Sequence, residues 1–220
     1  MTLKLFIAGT DTNVGKTYIS AGILSAFNAQ SWSTLGIKPI ASGGNEDTLI
    51  HQQTASIKLP QHEITAFAFE PPIAPHLAAQ FIGRTLSVKQ LNLQSRHALQ
   101  HPADVSVIEG CGGWYVPLNS TETMADFVIA NQLNVILVVG VRLGCINHSL
   151  LTFRAMQQDK VNILGWIANC IDPHMKNKNE NIATLKEWLP IPCLGVVEHG
   201  MRPETVIDVR KIVECVSLEC

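Results

Sequence analysis

Short apolar runs recur along the chain with helix-length stretches between them, and no other feature restricts the fold so strongly. The runs fall at residues 3–8, 34–40, 105–108, 135–139, 163–168 and 193–197. Connections of this length are too long for hairpins, so the runs read as parallel strands joined by crossover helices. The run VILVV at 135–139 has no polar alternation, as expected of a central strand covered on both faces. Helices are predicted near 16–28, 46–58, 87–100, 123–132, 146–158, 177–188 and 203–216. The pattern predicts an α/β chain: a three-layer α/β/α arrangement with a mostly parallel central sheet, in one domain over 1–220.

The formal net charge is -2 and no Lys/Arg block occurs, so the electrostatic footprint of a nucleic-acid binder is missing. No apolar run reaches the roughly 18 residues that span a bilayer, so no membrane partner is expected. The opening MTLKLFIAGT is too short for a signal peptide and runs straight into a strand. Cysteines 111, 145, 170, 193, 215 and 220 show no CxxC spacing; reduced thiols in a cytoplasmic protein, mostly buried as packing residues, are the expectation. Eight histidines form no HExxH pair or Cys/His knuckle, so a structural zinc site has no support.

The stretch GTDTNVGKT, residues 9–17, closes the first strand and opens a helix. In that context backbone N–H groups from Gly9, Thr10, Asp11, Thr12, Asn13, Val14 and Gly15 can surround phosphate oxygens at a helix N-terminus. Lys16 adds a point charge and Thr17 a hydroxyl for magnesium. The loop is a variant of the strict GxxxxGK[ST] pattern: Thr10 stands where that pattern has glycine, and Gly9 lies one residue earlier. A P-loop NTPase-like fold follows, but such a loop alone does not separate ATPase, GTPase, kinase and ligase.

Lys38 follows directly on the apolar residues that open the second run, which places a second ammonium on the sheet edge that holds the phosphate loop. A phosphoryl group facing an anionic acceptor would need it, and the Ser42 hydroxyl can donate to the same anion. Asp47, also a candidate helix cap, and Glu109, at the tip of the strand VSVI, offer hard oxygen ligands for magnesium. GCGGW at 110–114 allows close backbone approach; Trp114 and Tyr115 either wall an apolar substrate or anchor the loop. VVGVRLGCINHS places a turn before another helix N-terminus, where Gly144, Cys145, Ile146 and Asn147 can hold a carboxylate, capping being the competing role. The proline-rich EPPIAPH at 70–76 reads as a rigid loop near a ligand or as an ordinary connection.

In order, GTDTNVGKT, KPIASG, VIEGCGGWYVPL, ILVVGVRLGCINHSLLT and GWIAN resemble the dethiobiotin synthetase family. The resemblance spans 9–169 and weakens toward 200. It implies a homodimer that uses MgATP, carbon dioxide and 7,8-diaminononanoate to form a cyclic urea, with release of ADP and phosphate through carbamate and carbamoyl-phosphate intermediates. It further implies catalytic roles for Lys16 and Lys38, metal positions at Thr17, Asp47 and Glu109, and substrate positions at Lys38 and Ser42. Gly144–Asn147 would act across the subunit boundary, and Asn169 would recognise adenine. The chain departs from the family in carrying Asn13 where glutamate is common, Arg142 where lysine is common, and EHGMRPE without the base-loop proline. Another ATP-dependent ligase of the same group is the enzymatic rival. A nucleotide-driven partitioning switch is the other, and it lacks a basic stripe or a second lysine near the loop's start.

Overall fold

The computed structural model describes residues 2–217, so Met1 and Cys220 lie outside the described residues. The strands in chain order are β1 (Leu3–Gly9), β2 (Thr34–Ile37), β3 (Ile40–Ser42), β4 (Phe67–Phe69), β5 (Val105–Glu109), β6 (Asn134–Gly140), β7 (Ile163–Asn169) and β8 (Cys193–Val197). The helices are α1 (Lys16–Asn28), α2 (Glu46–Thr54), α3 (Gln61–Ile64), α4 (Pro75–Phe81), α5 (Val88–Gln94), α6 (Arg96–Gln100), α7 (Met124–Ala130), α8 (Cys145–Gln158), α9 (Lys178–Trp188) and α10 (Val209–Ser217). The main sheet runs β2-β5-β1-β6-β7-β8 with every neighbouring pair parallel.

Strand β1 shows why three layers form. Leu5 and Ile7 face one side, packing in a cluster with Ile19 and Ile23 of α1 and with Ile212 of α10. Phe6 and Ala8 face the other, in a cluster with Phe127 of α7 and Phe153 of α8. Successive strand side chains point to opposite faces, so a strand with no polar alternate must be covered twice. Each fully buried Leu, Ile or Phe contributes roughly 1.5–3 kcal/mol.

The predicted strand over 34–40 is divided. β2 stops at Ile37, and β3 leaves the main sheet to pair with β4. Pro39 lacks an N–H and cannot donate to a sheet ladder; the Lys38 N–H donates to the Ile64 carbonyl at 3.0 Å. The predicted helix over 87–100 breaks at Ser95 into α5 and α6, and the one over 203–216 begins as a 3-10 turn at Pro203–Thr205. In EPPIAPH the loop ends at Pro75, which serves as the first residue of α4.

The sheet register brings the site's supports level at one edge. Ile7 pairs with Glu109, Gly9 with Val138, and Gly140 with Asn169. The phosphate loop, Lys38, Glu109 and Asn169 thus leave the same C-terminal edge, the usual ligand side of an open parallel sheet.

Candidate active site

The loop after β1 turns into α1 through Gly15, whose φ of 84° is left-handed. A Cβ there would fall 2.1 Å from Asn169 Nδ2, so only glycine lets the loop lie on the end of β7. Asn13 also sits at φ 59°, a region asparagine tolerates better than most residues. The Asn169 amide donates to the Val14 carbonyl at 2.9 Å, tying the loop to β7. Arg142 pairs with Asp11 and ties the loop to the turn after β6. The first N–H groups of α1 have no intrahelical carbonyl to bond and are available to an anion.

Lys16 is buried and its ammonium donates to the carbonyls of Gly112 at 2.6 Å and Asp11 at 3.1 Å. Burial, then the nearby Lys38 charge, lowers its pKa below the ordinary lysine value. Lys38 is 3% exposed. Its ammonium lies 2.6 Å from Glu109 Oε1 and 2.7 Å from Asp47 Oδ2, and donates to the Gly110 carbonyl at 3.2 Å. Burial alone would lower the Lys38 pKa, but the Glu109 and Asp47 charges raise it above the ordinary lysine range. Glu109 is 1% exposed; burial would raise its pKa, yet the Lys38 charge and the His51 hydrogen bond hold it well below the usual carboxylate range. Both partners are therefore ionised.

Thr17 Oγ1 lies 2.9 Å from Asp47 Oδ1 and 2.8 Å from Glu109 Oε1. One hydroxyl has one proton to give, so one of these oxygen pairs meets with no proton between. Three crowded oxygens with too few protons are the donor set that a hard divalent cation accepts. Among the described residues no group of three or more His, Cys, Asp or Glu side chains gathers at metal-binding spacing, so a metal here would draw on Thr17, phosphate oxygens and water as well.

One cavity of about 800 Å³ is lined by Thr12, Asn13, Gly15, Lys16, Thr17, Lys38, Ser42, Asp47 and Glu109 together with Pro72–Pro75 and Tyr115; Gly9, Thr10, Asp11, Val14 and Asn169 are not among its lining residues. Among the described residues the buried Ser42 hydroxyl has no hydrogen-bond partner, which leaves it able to donate to a bound anion. Cys111 also lines the cavity, but burial raises its thiol pKa, which disfavours a nucleophilic thiolate. Trp114 anchors its loop: it is buried, its Nε1 donates to Asp159 Oδ2 at 2.7 Å, and its ring meets Phe6 edge-on. Gly144 caps α8 and Cys145 is buried, but 144–147 do not line this cavity. Cys111, Cys145, Cys170 and Cys193 are free thiols, and no helix among the described residues is long and apolar enough to cross a membrane.

One participant was invisible in the sequence motifs. His51, one turn after Asp47 on α2, places Nε2 2.7 Å from Glu109 Oε2. The i, i+4 spacing of Asp47 and His51 on one helix face was the only available signal.

Residues 3–202 match a family model described as an AAA domain. The chain is 46% identical to the ATP-dependent dethiobiotin synthetase of Pseudomonas paraeruginosa over 200 residues, covering 87% of this chain and 88% of the relative. The enzyme of the same name from Cellvibrio japonicus is 44% identical, covering 87% of each chain. That of Pseudescherichia vulneris is 40% identical over 217 residues, covering 94% of this chain and 90% of the relative. Among solved structures, a plasmid partition protein of Borrelia burgdorferi bound to AMPPNP superposes with TM-score 0.60 at 12% identity, covering both chains fully (100% and 100%). Cobyrinic acid a,c-diamide synthase of Mycobacterium smegmatis, with bound ATP analogue and magnesium, gives 0.58 at 16% identity, covering 100% of this chain and 95% of the other. These structural likenesses show that the chain shares their fold.

Proposed function

The chain belongs to the dethiobiotin synthetase family, and from that premise we propose that it joins 7,8-diaminononanoate and carbon dioxide at the expense of ATP, closing the cyclic urea of dethiobiotin. The observation that carries this reading is the pair of buried ammonium groups, Lys16 and Lys38, beside Thr17, Asp47 and Glu109 at one cavity. Binding a nucleotide alone needs one such lysine. Two suit a reaction that brings an anionic acceptor against an anionic phosphate.

One amine of the substrate takes up carbon dioxide as a carbamate. A carbamate oxygen attacks the γ-phosphorus, ADP leaves, and the second amine attacks the resulting carbamoyl phosphate, expelling phosphate as the ring closes. Backbone N–H groups of Gly9–Thr17 and the Lys16 ammonium hold the phosphates. Lys38 bridges the transferred phosphoryl group and the carbamate, and Ser42 donates to the same anion. Magnesium, for which Thr17, Asp47 and Glu109 form the matching oxygen set, supplies charge compensation at the phosphates. Positioning and electrostatics dominate over proton transfer. We place adenine near Asn169, whose amide donates to the Val14 carbonyl at 2.9 Å. We place the carboxylate of the substrate at Gly144, Cys145, Ile146 and Asn147 of a second copy in a cytoplasmic homodimer, a reading that rests on the family resemblance; that these residues do not line the cavity of their own chain is compatible with it.

Incubation with MgATP, bicarbonate and 7,8-diaminononanoate, followed by phosphate measurement and mass spectrometry, tests the reading. Phosphate and dethiobiotin should appear together and depend on the diamine. Phosphate without the cyclic product, or turnover indifferent to the diamine, would reject it.

A further inference from the structure

Glu109 is the hub of the site, and its two oxygens have different company. Oε1 lies 2.8 Å from Thr17 Oγ1 and accepts from the Lys38 ammonium. Among the described residues Oε2 has a single hydrogen-bond partner, His51 Nε2 at 2.7 Å. Both side chains are 1% exposed, so no bulk water replaces that bond. Glu109 is ionised and has no proton to give; the proton in the contact belongs to His51 Nε2.

The surroundings of His51 show that packing is not what the ring does best. Its Nδ1 is buried with no partner among the described residues, a cost that an aliphatic side chain in the same slot would not carry. The ring fits because position 36 on β2 has no side chain: a Cβ on Gly36 would fall 2.6 Å from His51 Nδ1 and 2.9 Å from its Cβ. One helix, α2, therefore delivers Asp47 to the open side of the cluster and His51 to its closed side. The terminal torsion of a glutamate is soft and broadly two-fold, so burial alone does not decide which way its oxygens face.

We infer that His51 is a positioning residue for the metal: its Nε2–H pins Glu109 Oε2 and so holds Oε1 toward Thr17 and Asp47. This deepens the proposed function and rests on its reading of Glu109 as a metal-facing carboxylate. Groups that orient a metal's carboxylate or imidazole commonly change metal affinity about 10–100-fold when removed.

The test is Mn²⁺ binding to the protein–ADP complex, followed by the loss of the free-ion electron paramagnetic resonance signal, with thermal melting recorded for every variant. His51→Leu, which has no donor, should weaken Mn²⁺ binding about 10–100-fold, while ADP affinity in EDTA stays unchanged. His51→Gln, whose amide can present an N–H to Oε2, should bind Mn²⁺ close to the unaltered protein. If His51→Leu does not fold, His51→Asn takes its place; its shorter amide does not reach Oε2 and should show the same loss. Undiminished Mn²⁺ affinity in a folded Leu or Asn variant overturns the inference, as does equal weakening in Gln. If the unaltered protein with ADP binds no Mn²⁺, the metal-site reading itself falls and takes this inference with it.

Discussion

Replacing Lys38 by alanine should damage stability and turnover by separable routes. The ammonium is buried between Glu109 at 2.6 Å and Asp47 at 2.7 Å. The Asp47 side chain is 41% exposed and its charge is partly screened by solvent, so the cost falls mainly on Glu109, which is left as a buried charge with hydrogen bonds but no cation. Breaking a buried pair from one side costs about 3–5 kcal/mol. At about 2–4 °C per kcal/mol for a chain of this size, the melting temperature should fall by about 6–20 °C. Glu109→Gln removes the orphaned charge, so the K38A/E109Q pair should melt well above K38A alone. Turnover should not follow: K38A loses at least about 10²-fold, or roughly 2.7 kcal/mol of transition-state stabilisation, and the pair recovers none of it. The assays are thermal unfolding without nucleotide and initial rates of phosphate release. K38A that melts with the unaltered protein would refute the buried-pair account; near-normal turnover would refute the bridging role of Lys38.

Lys16→Ala should lose at least about 10²-fold in turnover; a rate near normal would remove Lys16 from the reaction centre. Because burial and the Lys38 charge hold Lys16 below its ordinary value of 10.5, the free protein loses that charge, and ADP affinity with it, at a lower pH than an exposed lysine would dictate. The stability effect has the opposite sign: burying charged Lys16 costs stability below the folded pKa, and the cost is relieved as pH rises from there toward 10.5. Titrating ADP binding and unfolding across alkaline pH checks both signs. Asn147→Ala should weaken apparent affinity for 7,8-diaminononanoate while sparing ADP binding; an unchanged value argues against the carboxylate contact. Gly15→Ala meets a left-handed φ and a Cβ 2.1 Å from Asn169 Nδ2, so it should cost about 1–3 kcal/mol and weaken ADP binding, as read by melting and calorimetry.

The strand pattern was legible because apolar runs without alternation admit little besides covered parallel strands. The phosphate loop, Lys38 and Glu109 were legible because each lies at the end of such a run, and parallel strands carry those ends to one edge; Asp47 was legible only as an acidic residue at the start of a predicted helix. What escaped depended on contacts remote in sequence. β4 is three residues long and has no period of its own. The run over 34–40 read as one strand, and nothing local told that β3 would leave the main sheet to pair with β4. The Lys38–Glu109 pair spans 71 positions, and the role of His51 requires knowing that α2 lies against Gly36. Trp114 was ambiguous until Asp159, 45 positions away, supplied its partner.

Oxygen transfer offers the most direct test of phosphoryl transfer to a carbamate. With ¹⁸O-labelled bicarbonate and a reaction quenched before the label exchanges into water, each phosphate released with product should carry one labelled oxygen, and the urea carbonyl should hold another. Unlabelled phosphate alongside labelled dethiobiotin would mean that water, not the carbamate, attacks the γ-phosphorus, and would contradict the assignment of Lys38 as the bridge between the two anions.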